Sequence, residues 1–347
     1  MDKKYFGVML DMSRNSVMKV SKVKEFVDYL SKIGYNMLQL YTEDNYEVKN
    51  EPYFGYMRSR YSISDLKEID EYCKQKGVEL IPCVQTLAHL RCIFKWEEYS
   101  NILDVDDILL AGNERTYTLL ENMFSTLREC FSSNRINIGM DEAYLVGLGK
   151  YLQKNGYQNR FSVIKSHLTK VIEIANKYGF KPMMWSDMFF RLANGGEYYG
   201  KCKITEEVKN SVPNGVDLVY WDYYQASEKM YRDMSTSHKQ FNNDVWFAGG
   251  AWTWTGFAPA NEWTLKTMKP AMRVVKETGY DKILITMWGD DGSETSYFSQ
   301  LPLLYFIKKY YEGERDVKVI KEGFKNHITE GLFLENKFSN QFPLLLP

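Results

Sequence analysis

Residues 23–41, VKEFVDYLSKIGYNMLQLY, decide the fold. Val23, Phe26, Val27, Leu30 and Ile33 recur at helical spacing and form one apolar stripe. Gly34 follows, and glycine best tolerates the left-handed position just past a helix end. The next residues, Tyr35-Asn36-Met37-Leu38-Gln39-Leu40-Tyr41, read as a buried strand. The same unit recurs at Gly77 before 78–84, at Gly179 before 180–185 and at Gly279 before 280–288. Further strands are expected at 5–12, 136–140, 216–221 and 245–247, with helical spacing in Tyr117, Leu120, Phe124, Leu127 and Phe131 and again from Ile164 to Ala175.

Eight strands alternating with helices imply a parallel sheet with helical crossovers, and eight units fit a closed (β/α)8 TIM barrel of the α/β class. Such a barrel takes about 250 residues, and the excess in this chain of 347 falls in long connections at 42–62, 86–111 and 186–204. An open doubly wound sheet would carry a glycine-rich phosphate loop after an early strand, and Leu10-Asp11-Met12-Ser13-Arg14 is no such loop. With no linker or low-complexity tract, residues 1–315 read as one barrel domain. Residues 316–347 read as a C-terminal helix and tail, or as the opening of a further region.

Composition narrows the function. Lys and Arg total 44 against 45 Asp and Glu, a net charge of -1, so no general field attracts nucleic acid or an acidic membrane. No apolar run is long enough to span a bilayer, and the N-terminus lacks a signal-peptide core. The five cysteines form no CxxC pair, which fits reduced thiols and a cytoplasmic location. His89, His167, His238 and His327 are scattered, so no metal ligand set and no cofactor is expected.

In a barrel the active site is built where the strands end. Strand 1 delivers Asp11 and Arg14, strand 2 Glu43 and Asp44, strand 3 Gln85 and His89, and strand 4 Asp141 and Glu142. Strand 5 delivers Trp185 and Asp187; strand 6 gives Trp221, Asp222, Tyr223 and Tyr224; strand 7 gives Trp252 and Trp254; strand 8 gives Trp288, Asp290 and Glu294. Taken singly, a tryptophan at a strand end reads as core, His89 as a structural histidine and Arg14 as a surface cation. Four strands in succession ending in tryptophan, on a rim crowded with carboxylates, read instead as a sugar site: C–H faces stack on indoles while hydroxyls bond to charged acceptors.

Asn137-Ile138-Gly139-Met140-Asp141-Glu142-Ala143 resembles the His/Asn-x-Gly-x-Asp-Glu signature of the family 20 glycoside hydrolases, the β-N-acetylhexosaminidases. Residues 7–14 resemble that family's first strand with its sugar-binding arginine, residues 84–89 its third-strand segment with a histidine, and Trp185, Trp221 and Trp288 its acetamido pocket. The resemblance implies an exo-acting enzyme that removes terminal GlcNAc, and GalNAc as a further option, from oligosaccharides or glycoconjugates. It implies retention through an oxazolinium formed by the substrate's own 2-acetamido group. Glu142 would then protonate the leaving oxygen and later activate water, and Asp141 would orient the acetamido N–H and stabilise developing positive charge. Asp11, Arg14, His89, Trp185, Trp221, Tyr223, Trp252, Trp254, Trp288 and Asp290 would bind the sugar.

Within the barrel the chain departs from the family pattern in three places. The seventh strand lacks the tyrosine that bonds the acetamido oxygen, leaving Tyr223 or Tyr224 to replace it. Asp290 stands where glutamate is common, and Asn137 where histidine is more usual. Two other readings fit the same residues: a retaining glycosidase with Asp290 or Glu294 as nucleophile, and a carbohydrate-binding barrel without turnover. The oligomeric state is not legible.

Overall fold

The computed structural model describes residues 3–326 apart from 15, 201 and 291. Eight parallel strands close on themselves: β1 (Tyr5–Asp11), β2 (Met37–Thr42), β3 (Glu79–Val84), β4 (Arg135–Asn137), β5 (Lys181–Trp185), β6 (Asp217–Trp221), β7 (Val245–Gly250) and β8 (Lys282–Met287). Closure is made by β1, which pairs with β2 from Gly7↔Met37 and with β8 from Tyr5↔Lys282 to Leu10↔Met287. Every residue of β1, β2 and β8 is buried, as expected where helices cover the outside and side chains fill the inside.

The helices lie where the periodicities put them. Val20–Lys32 buries Val23, Phe26, Val27 and Leu30, Glu114–Cys130 follows β3, and Arg160–Lys177 follows β4. Ile63–Gln75 begins at a capping box in which Ser62 and Asp65 satisfy each other's backbone N–H. The connection from β3 to its helix carries a small antiparallel pair, Leu103–Val105 with Ile108–Leu109. A further helix, Val317–Phe324, packs on Leu301–Glu312 through Phe324 and Tyr305. The rest of the expected C-terminal tail, with His327, lies outside the described residues.

Two strands end three residues away from expectation, while the others agree to within two. Strand β4 ends at Asn137 because Gly139 and Met140 take positive φ values of 71° and 68°, which no strand accommodates. Strand β7 instead runs on through Gly249 and Gly250.

The two mouths of the barrel differ. At the N-terminal mouth, Trp246 packs on Tyr5 at 5.0 Å and donates to Asp217 at 2.8 Å, while Arg135 pairs with Asp217 at 3.0 Å. That end is plugged by an aromatic and ionic cluster, and the other holds a cavity.

Candidate active site

The C-terminal mouth encloses a cavity of about 140 Å³ lined by side chains from most of the strands. Its acidic floor comes from the bend after β4. Asn137 Oδ1 accepts from Gly139 N at 3.0 Å, Gln85 Oε1 accepts from Met140 N at 3.2 Å, and Asp187 Oδ2 accepts from Glu142 N at 3.1 Å. A Cβ on Gly139 would stand 2.1 Å from Gln85 Oε1 and 2.8 Å from Val84 O, so close approach as well as φ demands glycine there. Glu142 itself is held at φ 52°.

The bend gives the two adjacent carboxylates different surroundings. Asp141 is buried; its Oδ1 accepts from Gln85 Nε2 at 2.8 Å and its Oδ2 lies 3.3 Å from His89 Nε2. The His89 contact is an ion pair whose geometry falls outside a hydrogen bond. Burial opposes the charge on Asp141, but His89 and the Gln85 amide outweigh it and hold its pKa below the ordinary value. Burial likewise opposes protonation of His89, yet Asp141 and Glu43 raise it to about 9. Asp187 is fully buried, and desolvation followed by the charge of Asp141 pushes its pKa up. Glu142 is more open, with its side chain 39% exposed; its Oε1 accepts from Tyr144 OH at 2.8 Å and its Oε2 lies 3.8 Å from His89.

The walls are aromatic. Trp185 and Trp288 meet at 5.9 Å between ring centroids, and Trp221 stacks on Tyr223 at 5.3 Å. Trp288 Nε1 donates to Tyr223 OH at 3.0 Å, which leaves the phenol's own proton free for another acceptor. Burial, then Tyr224, raises Tyr223 well above its ordinary value, so it keeps that proton. Gly250 makes room for this wall, since a Cβ there would stand 2.8 Å from Tyr223 Cβ and 3.0 Å from Trp254 Cη2. On the opposite side Arg14 pairs with Glu43, lies 3.5 Å from Asp11 Oδ2 and sits over the Tyr41 ring at 5.8 Å. Desolvation raises Glu43 to about 7 against the pull of Arg14. Asp290, at φ 40°, completes this side.

Of the expected residues, Arg14, His89, Asp141, Glu142, Trp185, Trp221, Tyr223, Trp254, Trp288 and Asp290 line the one cavity. Asp11 and Trp252 stand behind it. Asp11 is fully buried, accepts from Ser13 N at 2.9 Å and Gly289 N at 3.0 Å, and so ties the β1 loop to the β8 loop. Trp252 backs Trp254 at 4.3 Å and donates to Tyr223 O at 3.0 Å. Tyr41 lines the cavity and was not singled out as a site residue by its sequence context. Its signal is the period-two alternation Gln39, Tyr41, Glu43, with Gln39 reaching Met183 Sδ across the barrel interior at 3.6 Å. Among the described residues no group of three or more His, Cys, Asp or Glu could hold a metal ion.

The profile described as glycosyl hydrolase family 20, catalytic domain, matches residues 4–263. The chain belongs to glycosyl hydrolase family 20. The match stops short of β8, yet barrel closure brings the Trp288 and Asp290 of this family 20 chain into the same cavity. Hexosaminidase D from Homo sapiens is 27% identical over 219 residues, 59% of this chain and 42% of that protein. The Bos taurus hexosaminidase D is 26% identical over 220 residues, 59% of each chain. The chain therefore spans roughly half the length of these curated relatives. Among solved structures, the β-N-acetylhexosaminidase from Bacteroides fragilis superposes with a TM-score of 0.68 at 18% identity, covering 94% of this chain and 70% of that one. A Vibrio harveyi exo-β-N-acetylglucosaminidase solved with N-acetylglucosamine gives 0.68 at 15% identity, covering 94% and 57%. At these identities the structural likeness speaks for the fold.

His89 gains partners on folding that favour its charge, so its contribution to stability is complete below about pH 6.5. That contribution is lost as the pH rises through about 9. The stability difference between the protein and His89→Gln is expected to shrink by up to about 3 kcal/mol over that interval; a pH-independent difference in melting curves would remove the ion pair from the account. Were Glu142 to act as an acid on glycosides, Tyr144→Phe would lower kcat about 10-fold on those with poor leaving groups and less on activated aryl glycosides. Equal losses on both would assign Tyr144 a purely structural role.

Proposed function

We propose that the chain is an exo-acting β-N-acetylhexosaminidase that removes terminal, non-reducing N-acetylhexosamine with retention of configuration. The observation that carries this reading is the pairing of Asp141, buried and held ionised, with the more open Glu142 beside a small cavity walled by Trp185, Trp221, Trp288 and Tyr223. The wall suits an acetyl methyl group, and a cavity this small accommodates the end of a glycan rather than its middle.

In this mechanism Glu142 transfers its proton to the glycosidic oxygen as that bond to C1 breaks, and the acetamido oxygen forms the new bond to C1. Asp141 accepts the acetamido N–H and offsets the positive charge that spreads over the oxazolinium ring. Tyr223, whose oxygen already accepts from Trp288, donates a hydrogen bond to the acetamido oxygen while keeping its proton, and so aims that oxygen at C1. It thereby fills the place of the missing strand-7 tyrosine. Water then attacks C1, Glu142 takes its proton, and the acetamido group is restored. Arg14, braced by Glu43 and Asp11, and Asp290 bind the outer hydroxyls. A cytoplasmic setting accompanies this reading and is supported by five cysteines that all stand as free thiols.

Glu142→Gln is expected to lower kcat/KM for an aryl N-acetyl-β-glucosaminide by at least about 100-fold with the fold intact; wild-type turnover in that variant would sink the assignment. A thiazoline mimic of the intermediate is expected to inhibit strongly, whereas indifference to it favours a protein nucleophile. Tyr223→Phe is expected to cost about 100-fold in kcat with a small change in KM, and an unchanged kcat would return the acetamido contact to another group.

A further inference from the structure

Outside β2 and β3, the rim carries aromatic rings that the catalytic cavity does not use. Tyr53 and Tyr56 are 43% and 47% exposed, and Trp96 is half-buried between them and the barrel. Tyr53 lies 5.7 Å from Trp96 with the planes at 32°, and Tyr56 meets Trp96 edge-on at 5.0 Å. Tyr53 and Trp96 open onto a groove of about 900 Å³, several times the catalytic cavity, whose polar lining includes Glu97, Glu98, Asn101 and Arg115.

The groove is braced from beneath. Buried Glu51, two residues before Tyr53, accepts from Arg115 at 2.8 and 2.6 Å, from Tyr99 OH at 3.0 Å and from Asn122 Nδ2 at 2.9 Å. Arg115, which lines the groove, is therefore held in place before any ligand arrives, and Tyr53 and Trp96 brace each other, which reduces the entropy lost on binding. The loop that carries Tyr53 is also tied to the catalytic rim. Its Arg58 donates to the carbonyl of Ser13, the neighbour of Arg14, donates to Asn45 Oδ1 at 3.1 Å and lies 3.3 Å from Asp44 Oδ1.

Aromatic faces beside carboxylate and amide acceptors suit a pyranose, and the charges refine the choice. Arg115 is engaged by Glu51 and by Glu98 at 3.4 Å, while Glu97 and Glu98 stand exposed. Such a lining repels sialylated or sulfated chains and accepts neutral ones.

We propose that this groove is a second carbohydrate site, binding an internal residue of a neutral, β-linked N-acetylhexosamine chain. The identity of the sugar rests on the hexosaminidase reading; the site itself rests on the groove. Two linked contacts raise affinity for long glycans over short ones without changing the chemistry. The test is calorimetric titration of the Glu142→Gln protein with a β-1,4-linked N-acetylglucosamine hexasaccharide, with the cavity empty and with it filled by the thiazoline mimic. Binding is expected to survive filling of the cavity and to weaken about 10-fold or more in Tyr53→Ala/Trp96→Ala. With Glu142 intact, that double variant is expected to raise KM for the hexasaccharide about 10-fold. Its kcat/KM for an aryl monosaccharide should stay within about two-fold of the parent, which also reports that it is folded. Should the double variant lose aryl turnover, Tyr53→Ala alone, at an exposed ring, makes the same comparison. No binding with the cavity filled, or unchanged affinity in the variants, overturns the second site. Failure of the wild type to cleave the aryl glycoside overturns the hexosaminidase reading instead, and leaves the Tyr53/Trp96-dependent binding to be read on its own.

Discussion

Successive side chains of a β-strand point to opposite faces, so two adjacent carboxylates can share one cavity only where the chain gives up strand geometry. Gly139, Met140 and Glu142 do this with φ values of 71°, 68° and 52°. A non-glycine residue in that region costs on the order of 1–2 kcal/mol, and the barrel offsets the cost with hydrogen bonds from its neighbours on both sides. Gln85 from the β3 end holds Met140 N, and Asp187 from the β5 end holds Glu142 N. The bend thus takes its shape from the parallel strands that flank it, and closure of the barrel is what positions the chemistry.

The same neighbours set the electrostatics. Gln85 Nε2 lies 2.8 Å from Asp141 and 3.0 Å from Tyr41 OH, and its Oε1 supports the bend, so one amide orients the anion, the wall and the backbone. His89 supplies the nearest cation to Asp141, while Asp187, buried beside the pair, is driven toward its neutral form by desolvation and by Asp141. Charge is concentrated on Asp141 and His89 and removed from what lies beneath. The neutral sugar of the proposed function needs no long-range steering, in keeping with a chain whose net charge is -1.

The barrel was legible because helix, glycine and apolar strand repeat with fixed punctuation, and tertiary packing did not override it. The carboxylate pair and most of the wall were legible because strand ends map onto one rim. What the sequence lacked is the direction of each side chain beyond the strand. Asp11 and Arg14, three residues apart, differ in that one lines the cavity and the other braces it from behind, and Trp252 and Trp254 divide in the same way. Tyr41 was hidden in an apolar run, and Tyr144 lies past the motif on an irregular loop whose course no periodicity reports. The tryptophans also separate by depth: Trp246 plugs the far mouth, Trp96 faces the outer groove, and Trp185, Trp221, Trp254 and Trp288 enclose the cavity.

The central claim is that the substrate's own acetamido oxygen, guided by Asp141 and Tyr223, attacks C1. Fluorine on the acetyl methyl group withdraws electron density from that oxygen while leaving the rest of the substrate unchanged. The most direct measurement is therefore kcat/KM across aryl β-glucosaminides bearing N-acetyl, N-fluoroacetyl, N-difluoroacetyl and N-trifluoroacetyl groups. The account predicts a steep fall with each added fluorine; rates that stay level across the series would contradict it.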